Sequence, residues 1–427
     1  MSGFLKIGLA VAVLSTWLTV VHAPQARSAP QCPAAPGWDH VQAFKLEGEL
    51  KAYWNVYDSG GGIHAAAALC HGFLPVTIQN TFADYPGQQR KNIDAFLGKL
   101  NANPWRKPDF FERIVRRNID INPPSPGGIY VHDIEFVFQR SALKAWIFNA
   151  IDGQRFPLFA EFEDAYWKEW ATWFALPVKW TRERYKDAVI GIFGPQPFSK
   201  ETAKIRDYTA KDFAEKHSFD LKMWKSIDPY VDFIVTEAYL PDAKPDSMFY
   251  IATHIEQNYY RSEQMSGKPI FAYLWLRYYG PDWRQTTPLV DPYLVEAMTL
   301  VPYFSGARAV VLWGHELAVK PGDPLPYSQL PLFTHTLSRL SSVSGLIGRG
   351  HLVPGEPANV LWREKRPLVR VFDVGKEGCV ALVINPWQAE SDVSTANVEC
   401  QGRTYPLTAN GRHATLAQIS SDAITLH

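Results

Sequence analysis

The sequence has no net charge to offer a polyanion. Its 43 basic side chains are matched by 43 acidic ones over 427 residues, and no long basic run breaks the balance. Nucleic acids are recognised first through their phosphates by clustered Lys and Arg, so nothing in the composition points to that partner. Cysteine is scarce as well: there are four, none in a C-x-x-C pair, and the twelve histidines are scattered without ligand spacing. No metal site and no cofactor is therefore implied. Internal repeats and low-complexity linkers are also missing. The longest apolar run, Ile7 to Val21, falls short of the roughly 20 residues a membrane span needs, so no stable membrane association is expected.

That run does have the form of a targeting segment. Lys6 precedes it and the small residues Ala23, Ala26, Ser28 and Ala29 follow it, which is the n-region, h-region and cleavage zone of a signal peptide over residues 1–29. Pro24 and Pro30 leave the cut site open. Cys32 has no lipobox before it, so the expected product is exported, periplasmic or secreted; an uncleaved N-terminal anchor is the alternative. Exported cysteines meet oxidising conditions. Cys379 and Cys400 lie close together in a strand-like region and are expected to pair, which leaves Cys32 and Cys70 for each other.

What is abundant is aromatic: 15 Trp, 19 Tyr and 24 Phe. Such rings fill a large core, and they also stack on the apolar faces of sugars. From about residue 50 to 345, short apolar runs alternate with amphipathic stretches. The strand-like runs are 52–56, 76–78, 128–133, 188–193, 233–236, 269–273 and 309–313; the helical ones include 142–151, 166–173, 202–217, 251–265 and 294–304. Strand, crossover helix and strand in repetition imply a parallel sheet, and strands that are apolar throughout imply one covered on both faces. The expected fold is α/β, a (β/α) TIM-like barrel over residues 30–345. After about Gly345 helical periodicity stops, and short segments at 360–362, 368–372 and 379–384 separated by Gly, Pro and Asn turns predict a small, sandwich-like all-β domain over 346–427.

The chemistry is sought where barrel strands end. Val131-His132-Asp133-Ile134-Glu135-Phe136 closes an apolar run with two carboxylates two residues apart. On a strand such residues share a face, and two neighbouring carboxylates raise one another's pKa, which keeps a general acid protonated. The plainer alternative is a pair of solvated loop acids. Other strand ends carry Trp54-Asn55, Glu237 and Tyr239, Tyr273 and Trp275, and Trp313. Each singly could be a core ring or a surface acid; together they gather polar and aromatic groups at one end of several strands.

These features, in order over roughly residues 50 to 320, resemble the hyaluronidase family of glycoside hydrolases. Trp54-Asn55 is similar to its opening strand and Gly128 to Glu135 to its catalytic Asp-x-Glu strand. Gly191 to Pro195 resembles its Gly-Phe-Tyr-Gly-Phe-Pro segment, with Phe193 standing where the family has Tyr. Ala238-Tyr239-Leu240-Pro241, Pro269 to Tyr273 and Gly306 to Gly314 resemble later strands. The resemblance implies an endo-acting hydrolase of an N-acetylhexosamine-containing polysaccharide. Glu135 is then acid and base, and Asp133 polarises a substrate acetamido group that itself attacks the anomeric carbon. Tyr239 and Trp313 line the acetamido pocket with Tyr273 beside it, and Trp54, Asn55 and Phe193 complete the substrate contacts. Two alternatives stay open: a hydrolase or transglycosylase of another polysaccharide using Glu135 with Glu237, and a catalytically silent sugar-binding barrel.

Overall fold

The computed structural model describes residues 32, 34–58, 62–80, 105, 111–134, 156, 158–194, 204–280, 287–316, 325–421 and 423–427. The targeting segment, the helical stretch expected at 142–151 and Glu135 lie outside the described residues.

Seven strands form one all-parallel sheet: β1 (Lys51–Asp58), β2 (Leu74–Asn80), β3 (Ile129–Asp133), β4 (Val189–Phe193), β5 (Ile234–Glu237), β6 (Ile270–Trp275) and β7 (Ala307–Glu316). Their spatial order is β4-β3-β2-β1-β7-β6-β5. The chain begins in the middle and grows outward both ways, so first and last strands pair, from Lys51↔Ala309 to Asp58↔Glu316. The outer strands β4 and β5 then come side by side and close a barrel. No ladder joins them among the described residues. Asp232 links them instead: its N–H donates to Ile190 O at 2.7 Å and its carboxylate accepts from Ile190 N at 2.7 Å. Arg182 pairs with that carboxylate at 2.5 Å.

Helices cover the outside: α1 (Ile63–Cys70), α2 (Phe111–Ile121), α3 (Phe159–Arg184), α4 (Ala210–Ile227), α5 (Met248–Glu263), α6 (Pro292–Phe304) and α7 (Leu330–Arg349). Much of the aromatic content is spent here. Trp167, Trp170 and Trp173 of α3 and Trp224 of α4 are fully buried. The start of α4 is set by Thr209 and Asp212, which cap each other's backbone. This places the helix later than the 202–217 that periodicity implied.

Inside the barrel the rings of Phe233 and Phe271 stack at 4.2 Å, and Phe271 meets Tyr53 at 5.6 Å. Gly191 makes room for them: a Cβ there would lie 2.3 Å from the Phe233 ring. Gly191→Ala is therefore expected to lower stability by about 1–3 kcal/mol through overpacking, read as a shift in urea midpoint; an unchanged midpoint would show that the ring can simply move aside.

The C-terminal part has α8 (Ala358–Glu364) and seven strands, β8 (His351–Leu352), β9 (Leu368–Asp373), β10 (Cys379–Ile384), β11 (Val393–Cys400), β12 (Arg403–Asn410), β13 (Thr415–Ile419) and β14 (Ile424–Leu426). Five form the sheet β14-β13-β10-β9-β8, and β11 and β12 form a hairpin. One face of β10 (Cys379, Ala381, Val383) packs against the hairpin residues Val398 and Leu407; the other (Val380, Leu382, Ile384) joins the barrel core. The strand expected at 360–362 is instead α8. Three apolar residues do not separate the two states, and the Ala358 N–H is fixed by Glu256 of α5 at 2.9 Å. Helicity also runs past Gly345, to Arg349. Both expected disulfides form, Cys32–Cys70 and Cys379–Cys400.

Among the described residues no helix is long and apolar enough to cross a membrane, and no group of His, Cys, Asp and Glu could hold a metal ion.

Candidate active site

Residues on strands that are not neighbours can touch only across the barrel interior. That test identifies which side chains share the mouth. The rings of Phe193 (β4) and Tyr273 (β6) lie 5.2 Å apart. The carboxylate of Asp133 (β3) acts on the Tyr273 hydroxyl, and the Asn55 amide (β1) faces it. Just past β5, Tyr239 stacks on Trp313 of β7 at 5.4 Å. So Asp133, Asn55, Phe193, Tyr273, Tyr239 and Trp313 face the barrel interior at the C-terminal ends of the strands, where barrel enzymes work.

Asp133 is the last residue of β3, half-buried, and paired with Phe193. Its neighbours in sequence face the other way. His132 is fully buried on the helix side, its Nε2 2.8 Å from Thr181 Oγ1. The Thr181 hydroxyl donates to Pro177 O at 3.0 Å, so the ring proton sits on Nε2 and His132 is neutral. Burial pushes its pKa down to about 3, below the ordinary value near 6.5 of an unfolded chain. Protons thus bind the unfolded state preferentially. Stability is complete above pH about 6.5 and falls as the pH drops toward 3, by about 2 kcal/mol at pH 5 from this one group. Guanidinium midpoints followed by Trp fluorescence should decline between pH 7 and 5, and the decline should be shallower in His132→Gln. An equal slope in both proteins would remove His132 as the cause.

Tyr273 is fully buried. Burial raises its pKa first, and the Asp133 charge raises it further. The phenol therefore remains protonated throughout the working range and can only donate when it meets a carboxylate or a ligand oxygen. Neither its OH nor Asn55 Nδ2 has a hydrogen-bond partner of good geometry among the described residues. Asn55 and Tyr273 face each other, and an oxygen-rich ligand in the mouth would give both groups partners of better geometry.

Glu237 ends β5, half-buried and in register with Tyr273. Its charge adds to the burial that raises Tyr250 of α5. Trp54 does not share the mouth. Strand alternation turns it to the helix side, where it packs on Trp38 at 5.7 Å and Phe73 at 5.3 Å. Two aromatic residues join the site beyond those the sequence singled out as contacts. Trp275 meets Trp313 edge-on at 5.1 Å, and Tyr279 stacks on Tyr239 at 6.2 Å while remaining 38% exposed at the rim. Trp275 was signalled by its spacing from Tyr273. Tyr279 lies beyond the strand and is held there by its N–H to Leu240 O at 2.8 Å, a contact no spacing reveals.

No family model and no curated protein sequence matches the chain. Among solved structures, bee venom hyaluronidase is 14% identical with a TM-score of 0.45, over 70% of this chain and 100% of that one. A Cellulomonas fimi endo-β-1,4-mannanase double mutant is 13% identical with a TM-score of 0.34, over 84% and 78%. An endo-β-1,6-glucanase is 10% identical with a TM-score of 0.36, over 88% and 92%. Likeness at this level carries no argument about this chain; its barrel rests on its own strand register.

Proposed function

We propose that the protein is a glycoside hydrolase that cleaves a polysaccharide at the C-terminal mouth of its barrel. The observation that supports this best is the combination of the Asp133 carboxylate with two buried donors, Tyr273 OH and Asn55 Nδ2, that lack partners of good geometry. A ligand rich in hydroxyl and carbonyl oxygens suits that set, and the stacked faces of Tyr239, Trp313 and Tyr279 suit the C–H faces of sugar rings.

In the reaction, Glu135 protonates the leaving glycosidic oxygen and later deprotonates the attacking water. For an N-acetylhexosamine at the cleavage point, Asp133 accepts the acetamido N–H. The acetamido oxygen then bonds to the anomeric carbon as the glycosidic bond breaks, and water reopens the resulting ring. Configuration at the anomeric carbon is retained because it is inverted twice. A second reading has its own support in Glu237, which reaches the same strand ends: with a substrate lacking acetamido groups, Glu135 and Glu237 would be the working pair.

The test is a screen of the full chain against polysaccharides with and without N-acetyl groups, reading reducing ends and product length. Internal cleavage confined to acetylated polymers supports the first reading. Cleavage of unacetylated ones supports the second. Tight binding without new reducing ends on any polymer would replace both with a silent binding barrel.

A further inference from the structure

A second cleft lies on the flank of the barrel, away from the mouth. It has a volume of about 650 Å³ and runs between α4, the C-terminal half of α5 and the start of α8. Every ionisable side chain on its wall other than tyrosine is basic: His217, Lys222 and Lys225 of α4 and Arg363 of α8. Lys222 is neutralised by Asp164 at 2.6 Å. Arg363 donates to the carbonyls of Arg206 and Tyr208. Lys225 has no carboxylate partner among the described residues. The acids behind the wall are already engaged, Glu256 by Arg370 and Asp220 by Arg261.

His217 is neutral near pH 7, burial and then the Arg261 charge lowering its pKa to about 4, and Gln257 of α5 lines the same cleft. Only 6% of Gln257 is exposed, yet it lines the cleft and hydrogen-bonds to no described residue. Its amide opens onto the cleft, where it can bond a ligand. Asn359, buried on the opposite wall, donates to Tyr208 O at 2.8 Å, and the Tyr208 and Phe213 rings form an apolar side. A phosphate cradle is not what this builds. The nearest helix start, that of α4, has its N–H groups capped by Thr209 and carries the Asp212 carboxylate, which repels anions from that end.

We infer that this cleft binds a uronic-acid-bearing saccharide chain. One uronate carboxylate meets Lys225 and a second, further along the chain, meets Arg363; sugar hydroxyls meet Gln257 and Asn359, and a sugar ring packs against Tyr208. Because α8 supplies one wall, the C-terminal domain contributes to polysaccharide capture instead of merely capping the barrel.

The experiment is calorimetry on the full chain with hexasaccharides of polygalacturonate, alginate and hyaluronan, and with their carboxyl-reduced counterparts. Binding to at least one acidic oligomer is expected, weakened about tenfold by carboxyl reduction and by Lys225→Glu. Lys225 is exposed, so its substitution leaves the fold intact, and melting temperature serves as the control. Gln257→Met, which keeps the volume and removes the amide, should weaken both the acidic and the reduced forms. Cleavage of short soluble substrates should be unchanged in both variants, so loss of the flank site and failure of the barrel chemistry are read separately. No binding to any acidic oligomer, or binding indifferent to carboxyl reduction and to Lys225→Glu, overturns the proposal.

Discussion

Glu135→Gln should leave a folded protein that turns over polysaccharide about 10²–10⁴-fold more slowly, the range lost when a positioned acid or base is removed. Gln keeps the shape of Glu but cannot give up a proton, so binding should change far less than kcat. The companion substitution Glu237→Gln separates the two routes. If the substrate's own acetamido oxygen is the nucleophile, Glu237→Gln stays within about tenfold of the parent. If Glu237 is the second carboxylate, it falls as far as Glu135→Gln. Full activity in Glu135→Gln would refute both.

The second large effect lies between the barrel and the C-terminal domain. Arg370 of β9 and Glu256 of α5 form an ion pair at only 4% and 7% side-chain exposure. The guanidinium Nε donates to Glu256 Oε1 at 2.9 Å, the other Glu256 oxygen accepts from Ala358 N, and Arg370 also reaches Glu356 O at 3.0 Å. Removing one partner leaves the other charged, buried and alone. Glu256→Leu or Arg370→Leu is expected to cost about 3–5 kcal/mol. The double variant should regain most of that loss but not all, because Ala358 N–H and Glu356 O then lose their partners, at about 1–3 kcal/mol for each buried group. Denaturant midpoints of the three variants check this. Single substitutions that cost less than the double one would show that the charges are not in contact in solution.

Much of the barrel was readable from the sequence because parallel strands covered on both faces are apolar end to end, as in Ala188 to Phe193. Asp133 was readable for a related reason. Alternation puts it opposite His132, and a strand whose inner neighbour is Val131 can hold a carboxylate inside only at its end. The same alternation sends Trp54 and Asn55 to opposite faces, so of that pair the strand leaves only Asn55 in the mouth. Residues 360–362 show the limit of periodicity: three apolar positions fit either state, and the deciding contact comes from Glu256, about 100 residues earlier. Gly191 carried no signal either, since the Phe233 ring that excludes a side chain there arrives from another strand.

The closure of the barrel through Asp232 has a mechanical consequence. Asp133 stands on β3 and Glu237 on β5, so the shortest path between them crosses the gap from β4 to β5, where one backbone bond and the Asp232 side chain stand in for a ladder among the described residues. The other six neighbouring strand pairs are joined by backbone ladders, although the one between β1 and β2 covers only Tyr53 and Trp54. The span between the two acids therefore depends on one aspartate and one arginine held at the far end of β4 and β5 from the mouth.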